Sequence, residues 1–250
     1  MKLSRYKHDS EFSYALGATL VYELLKTQPE LIQRVFVRPG ISYGEDLAKL
    51  IAELKTRHID ILESSKAFNI LNAKDNCLLM AEFRKPDTNL EWATDTPHLV
   101  LVNPSDAGNL GTIMRSAVAF GYKNLAIITP AVDPYDPKVI RASMGAVFHL
   151  NIQQFPTFDN YQSQYGETDG RKRALYAFML DQNAKQLQQL SLEDNYFALI
   201  FGNEASGLPG EFAKIAQPIF IPQSPNVDSL NLSVATSIAL YTFRQKIAPV

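Results

Sequence analysis

Three polar windows of this 250-residue chain hold residue types whose spacing could do chemistry. The first runs from Asn103 through Ser105, Asp106, Gly108, Asn109 and Gly111 to Arg115. Asn109 or Asp106 could cap a following helix. Arg115 lies one turn beyond Gly111. A cation this early in a helix opposes the helix dipole, which invites a functional reason, although a solvated or ion-paired arginine would satisfy the same spacing. The second window, Gly202-Asn203-Glu204-Ala205-Ser206-Gly207, sets a carboxylate between glycines directly after an apolar run. Glu204 there could cap a loop or serve a site. The third runs from Ile221-Pro222 through Asp228, Ser229, Leu230, Asn231 and Ser233 to Ala235. Ser229 or Asp228 could cap a final helix, with Asn231 and Ser233 in its first turn.

The elements around these windows explain why they could converge. Six of the 12 glycines fall in the first two windows or shortly after them, Gly108, Gly111 and Gly121, then Gly202, Gly207 and Gly210. Both windows follow a buried-type strand, at Leu99–Val102 and Phe197–Phe201, and ligands of open α/β sheets bind at such carboxyl ends. Further strands are expected at Leu125–Ile128, Phe148–Ile152, Ala174–Phe178 and Pro218–Ile221. Helices are expected at Leu110–Phe120, Pro137–Met144 and Asn231–Lys246. Strands alternating with helices imply a mostly parallel sheet covered on both faces. The glycine spacing matches neither a dinucleotide fingerprint nor a phosphate-binding P-loop, which argues against a nicotinamide-dependent oxidoreductase.

Residues 1–83 read as a smaller α/β sandwich. Phe12, Leu16, Leu20 and Leu24 recur at i+4, the stripe of an amphipathic helix. A strand at Gln33–Arg38, a helix around Leu47–Leu54, a strand at Ile59–Leu62, a helix near Lys66–Leu71 and a strand at Cys77–Phe83 follow. Residues 84–97 are polar with two prolines, the pattern of a linker; Trp92 is expected to pack it onto a domain. A second, larger domain then spans residues 98–250.

Composition narrows the class. Hydrophobic residues are 46% and charged residues 20%, enough apolar matter for a core. One cysteine, Cys77, forms no disulfide by itself and suggests a reducing compartment. With no apolar run behind the basic start, a cytoplasmic location is expected, with no membrane association. His8, His58, His98 and His149 lack metal-ligand spacing, so no metal is expected. A formal net charge of −2 excludes a wholly basic protein but not a local basic patch.

Taken together and in this order, the windows resemble the three motifs of the SpoU (TrmH) family of RNA 2′-O-methyltransferases, within the SPOUT superfamily. Asn109, Gly111 and Arg115 match the first motif. Gly202, Asn203, Glu204 and Gly207 match the second. Ile221, Pro222, Ser229, Leu230, Asn231, Ser233 and Ala235 match the third. Arg141-Ala142-Ser143-Met144-Gly145-Ala146 resembles the family's R-x-S-x-G-A segment. Residues 1–83 resemble, less closely, the L30e-type RNA-binding domain that many members carry.

The resemblance implies an α/β fold with a trefoil-knotted, mostly parallel SPOUT sheet, preceded by the L30e-like sandwich. It implies a homodimer and S-adenosylmethionine as methyl donor, with S-adenosylhomocysteine as product. It implies methyl transfer to a ribose 2′-hydroxyl, of rRNA more than tRNA; a non-catalytic RNA-binding or ribosome-assembly protein on the same scaffold is the alternative. Arg115, Asn109, Glu204, Ser229 and Asn231 would form the catalytic set. Thr129, Gly202, Asn203, Gly207, Ile221, Pro222, Leu230 and Ser233 would hold the cofactor. A guanidinium is a poor proton acceptor at neutral pH, so Arg115 would either hold a phosphate beside the target ribose or act as base under a neighbouring charge. Arg5, Lys7, Arg84, Lys85 and Arg141 are the candidate RNA contacts, with Lys2, His8 and Arg171-Lys172-Arg173 as further basic runs.

Overall fold

The computed structural model describes residues 3–40, 42–87, 91–93, 95–181 and 183–247; Lys2 lies outside them. Two compact units emerge. One comprises residues 1–87 with 133–149, and the other residues 88–132 with 150–250.

The smaller unit is built on a four-stranded sheet in the order β1-β4-β2-β3. Its elements are β1 (Phe12–Leu16), α1 (Ala18–Thr27), β2 (Ile32–Val37), α2 (Glu45–Thr56), β3 (Ile61–Glu63), α3 (Ser65–Ile70) and β4 (Leu79–Arg84). β4 runs antiparallel to both neighbours, while β2 and β3 are parallel. One expectation fails here. The i+4 stripe from Phe12 spans two elements, because Phe12–Leu16 pairs with β4 from Phe12↔Arg84 to Leu16↔Met80. Gly17, at φ 124, ends that strand and starts α1. Phe12-Ser13-Tyr14 suits a pleated, buried surface better than a helix, and pairing outweighs the local period.

The segment Asp133–His149, counted by sequence with the second domain, packs in this smaller unit. The Ser13 hydroxyl donates to Tyr135 O at 2.5 Å. Lys85 Nζ lies 2.7 Å from Asp133 Oδ2, and His149 Nε2 lies 2.8 Å from Glu23 Oε2. Helix α5 (Pro137–Ala142) opens the segment, and a 3₁₀ turn at Ala146–His149 closes it. The strand expected at Phe148–Ile152 therefore begins later, as β7 (Asn151–Phe155).

The larger unit holds a seven-stranded sheet in the order β11-β13-β10-β12-β5-β6-β7. Its strands are β5 (His98–Val102), β6 (Asn124–Ile128), β7, β10 (Ala174–Phe178), β11 (Lys185–Gln186), β12 (Phe197–Phe201) and β13 (Gln217–Phe220). Each pairing is parallel. All five residues of β5, β6 and β12 are buried, as expected of strands covered on both faces. The helices are α4 (Ala107–Ala119), α6 (Phe158–Tyr165), α7 (Phe212–Ile215) and α8 (Leu232–Lys246). A small ribbon, β8 (Glu167–Thr168) with β9 (Arg171–Lys172), completes the unit. Trp92 is buried and stacks on Tyr165 at 4.8 Å between ring centres, joining this core as expected.

Candidate functional site

The site forms where β12 and β5, adjacent and in register, release their carboxyl ends into the second and first windows. After β12 the chain folds back on itself: Asn203 and Gly207 exchange backbone hydrogen bonds at 3.2 and 2.9 Å. This turn needs two glycines. A Cβ on Gly202 would lie 2.1 Å from the carbonyl carbon of Gly207, and Gly207 itself has φ +67. The Asn203 side chain fixes the turn from both sides. Its Oδ1 accepts from Ala205 N at 2.9 Å, and its Nδ2 donates to Asn103 O at 2.8 Å.

That closure aims Glu204 at the N-terminus of α4. Oε2 accepts from the backbone and hydroxyl of Ser105 at 3.0 and 2.8 Å, and Oε1 from Asp106 N at 3.1 Å. Burial by itself would raise the Glu204 pKa. The hydrogen bonds from its own backbone, from Ser105 and from Asp106 outweigh this and hold the carboxyl below its ordinary range. Glu204 is therefore ionised at neutral pH and acts as an electrostatic clasp on a helix N-terminus.

The third window joins through a relay of amides. Asn231 Oδ1 caps α8, accepting from Ser233 N at 2.8 Å and Ser233 Oγ at 2.6 Å. Its Nδ2 donates to Asn109 Oδ1 at 2.9 Å, and Asn109 Nδ2 reaches Glu204 Oε1 at 3.4 Å. Asp106 caps α4 through Asn109 N at 2.7 Å. The sequence left α4 open between Asn109 and Asp106, and expected Ser229 or Asp228 on α8; the caps are Asp106 and Asn231. Choosing Asn231 frees Ser229 to face the cavity.

Beside this network lies a cavity of about 280 Å³. Phe178, Phe201, Leu208 and Ile219 give it apolar walls, and Asn203, Glu204, Ser206, Gln223 and Ser229 a polar rim. Of the residues singled out by sequence for a cofactor, Gly202, Asn203, Gly207, Ile221 and Leu230 line it. Thr129, Pro222 and Ser233 are not among the lining residues. The sequence missed Phe178, Met179 and Leu180 at the end of β10. The rule that ligands gather at strand carboxyl ends would have flagged them, since Ala174–Phe178 was already read as a strand. Arg115 is exposed on α4. It lies six residues past Asn109, about 120° around the helix by the helical repeat, and does not line the cavity.

The candidate RNA contacts fall in the smaller unit. Arg5, Lys7, Arg84 and Arg141 are exposed. Arg5 Nε donates to Ile70 O at 3.3 Å. Lys85 is committed to Asp133 and to His8 O, at 2.7 and 2.8 Å.

Comparison with known proteins places this arrangement. The model of the SpoU rRNA Methylase family matches residues 96–241, more than half of the chain. An uncharacterized tRNA/rRNA methyltransferase of Synechocystis is 33% identical over 160 residues, which cover 62% of this chain and 57% of that protein. The 23S rRNA (guanosine(2553)-2′-O)-methyltransferase RlmP of Bacillus subtilis is 27% identical over 91% of this chain and 86% of its own length. The chain spans 50% of zebrafish mitochondrial rRNA methyltransferase 3A, so some relatives are about twice the matched length. Among solved structures, an AdoMet-bound rRNA methyltransferase of Sinorhizobium meliloti superposes with a TM-score of 0.78 at 25% identity, covering 96% of this chain and 89% of that one. An RNA 2′-O ribose methyltransferase superposes at 0.76 and 27%, covering 94% and 89%. With the family model spanning all three windows, the chain belongs to the SpoU rRNA methylase family.

Proposed function

We propose that this chain is an S-adenosylmethionine-dependent RNA methyltransferase that modifies a ribose 2′-hydroxyl, with rRNA as the substrate. The observation that carries this reading is the convergence of Asn109, Glu204 and Asn231 in one hydrogen-bonded relay beside the cavity at the strand carboxyl ends. The residues present suit the methyl donor. Apolar walls at Phe201, Leu208 and Ile219 can flank a purine. The self-closing Gly202–Gly207 turn offers backbone at close range, and the ionised Glu204 favours a positive sulfur nearby. When bound there, S-adenosylmethionine supplies a methyl group on a sulfonium, already activated for displacement.

The protein's part is to align the reacting atoms and to ease loss of the hydroxyl proton. Gly202, Asn203, Gly207, Ile221 and Leu230 hold the adenosine portion, with Ser229 on the rim. Ser233 steadies Asn231 from outside the cavity, and Thr129 and Pro222 stand outside its lining. Glu204, Asn109 and Asn231 keep the three windows in register. Arg115 binds the phosphate beside the target ribose and stabilises the developing charge at the 2′-oxygen, whose proton leaves to solvent. Exposed Arg115 fits that role, since a phosphate clamp must be reachable from outside.

The same reading includes a homodimer. α8 exposes Val234 (46%), Ile238 (38%) and Tyr241 (52%) along one stripe, an apolar face unusual for a monomer. It also includes the knotted threading of the C-terminal strands, an L30e-like role in RNA binding for residues 1–83, a linker at 84–97 and a catalytic domain over 98–250. A cytoplasmic setting goes with it; among the described residues no helix is long and apolar enough to cross a membrane.

The test incubates the protein with methyl-labelled S-adenosylmethionine and, separately, unmodified rRNA and tRNA, then digests to nucleosides. Label in 2′-O-methylnucleosides from rRNA is expected. Label only in tRNA would change the substrate; no label with no cofactor binding would leave an RNA-binding scaffold.

A further inference from the structure

Helix α5 ends in a Schellman turn. Gly145 N donates to Ile140 O at 3.3 Å and Met144 N to Arg141 O at 3.1 Å. The left-handed residue in such a turn is ordinarily glycine or asparagine. Here it is Met144, at φ 52. Its side chain is 49% exposed, so packing does not repay the backbone it adopts. The turn is held on all sides. Gly145 is also left-handed, and a Cβ there would lie 2.8 Å from Glu23 Cβ. Ser143 is buried, its hydroxyl donating to Ile140 O at 2.9 Å. A rigid turn thus presents a long, polarizable apolar side chain to the outside. On the same helix Lys138 and Arg141 are exposed, and neither has a carboxylate partner among the described residues.

We propose that Met144, Arg141 and Lys138 form a contact for single-stranded RNA, in which the Met144 thioether packs on the face of an unstacked base and the two cations hold flanking phosphates. The inference rests on the RNA-substrate reading and adds a base contact to it. A thioether packs well on an aromatic face. Two unpaired cations one turn apart or less match the phosphate backbone, and only an unpaired base exposes a face to be covered. An apolar protein partner would have no use for the cations, and a phosphate polymer without bases none for the methionine.

The test measures binding of the full chain to a short single-stranded RNA, to the same sequence annealed into a duplex, and to inorganic polyphosphate. Met144→Gly relieves the left-handed backbone, so its Tm should not fall. It should nonetheless bind the single strand about fivefold more weakly, with polyphosphate affinity unchanged and Met144→Leu close to the parent. Arg141→Ala should weaken both polyanions and lower the salt slope by about one. Met144→Gly binding the single strand as well as the parent does would overturn the base contact, as would an equal loss on polyphosphate. Methyl transfer to rRNA is followed in parallel. A parent chain that binds RNA but transfers no methyl defeats the proposed function while leaving the affinity comparison decisive. A rise in KM for rRNA in Met144→Gly, with kcat kept, supports both.

Discussion

The carboxyl and amino ends of the seven-stranded sheet both gather polar side chains, and use them in opposite ways. At the carboxyl end, Glu204 stays ionised because backbone and hydroxyl donors surround it, and a cavity remains open beside it. At the amino end, aromatic rings fill the space. His98, the first residue of β5, is fully buried, with Nδ1 3.0 Å from the Tyr161 hydroxyl and Trp92 edge-on at 4.7 Å. Arg173 sits nearby, donating to Thr96 O and Tyr165 O at 2.7 and 2.9 Å and lying 4.1 Å from the Tyr196 ring centre. Burial, reinforced by the Arg173 charge, pushes the His98 pKa down to about 2, so the ring is neutral. The difference teaches what keeps a charge: donors around Glu204 hold an anion at the half-exposed rim, carbonyls hold the Arg173 cation at the closed end, and His98 beside that cation is held only without a proton. The proposed site belongs to the first end, and a closed, packed core to the second.

Breaking the open end should cost most. In Gly202→Ala the new Cβ would meet the Gly207 carbonyl and Leu208 N within 2.3 Å, so the turn must open. Titration calorimetry with S-adenosylhomocysteine should then show affinity lost by at least about 10²-fold, with methyl transfer gone. Unchanged affinity would separate the turn from the cofactor site. Arg115→Ala sharpens the comparison differently. The side chain is exposed and lines no wall, so Tm and S-adenosylhomocysteine affinity should stay within severalfold while methyl transfer falls by at least about 10³-fold. Retained turnover would remove Arg115 from the mechanism.

Glu204→Gln tests the clasp itself. The amide keeps the shape but loses the charge and replaces one acceptor by a donor facing either Ser105 or Asp106. Methyl transfer should fall about 10- to 100-fold, and stability by about 1–2 kcal/mol, reduced by solvent at this half-exposed site. The pH signature follows from the lowered carboxyl pKa. The stability Glu204 contributes is complete above the ordinary carboxylate pKa and lost as pH falls below about 4. Acid melts of the variant should lack that part of the decline.

What the sequence made legible follows the same division. Asn109, Glu204 and Asn231 stand in motifs, and motif spacing survives folding because the backbone turns that need it are local. Glycines at 202 and 207 announced their turn. The walls at Phe178 and Leu180 stand in no motif, and only their place at a strand carboxyl end marks them. Phe12 and Leu16 misled because a four-residue period fits a helix, while pairing with Met80–Arg84, almost 70 positions away, decided for a strand. Packing of Asp133–His149 against β1 and α1 was invisible for the same reason: its partners, Ser13, Glu23 and Lys85, are distant in sequence.

The closed end offers the smallest effect and the cleanest control. His98 is neutral when folded and has an ordinary imidazole pKa when unfolded, so below about pH 6.5 the unfolded chain binds a proton that the folded chain refuses. The stability that neutral His98 confers is complete above that pH. It declines as pH falls, by about 2 kcal/mol between pH 7.5 and 5. His98→Gln can keep a partner for the Tyr161 hydroxyl and cannot titrate, so its Tm should fall less than the parent's across that interval. Methyl transfer at pH 7.5 should stay within about twofold, because the side chain lies at the end of the sheet away from the cavity. Equal acid slopes in the two proteins would mean that His98 takes up a proton without unfolding the aromatic cluster. A large loss of activity would mean that the two ends are coupled through β5, and that the closed end does more than hold the sheet together.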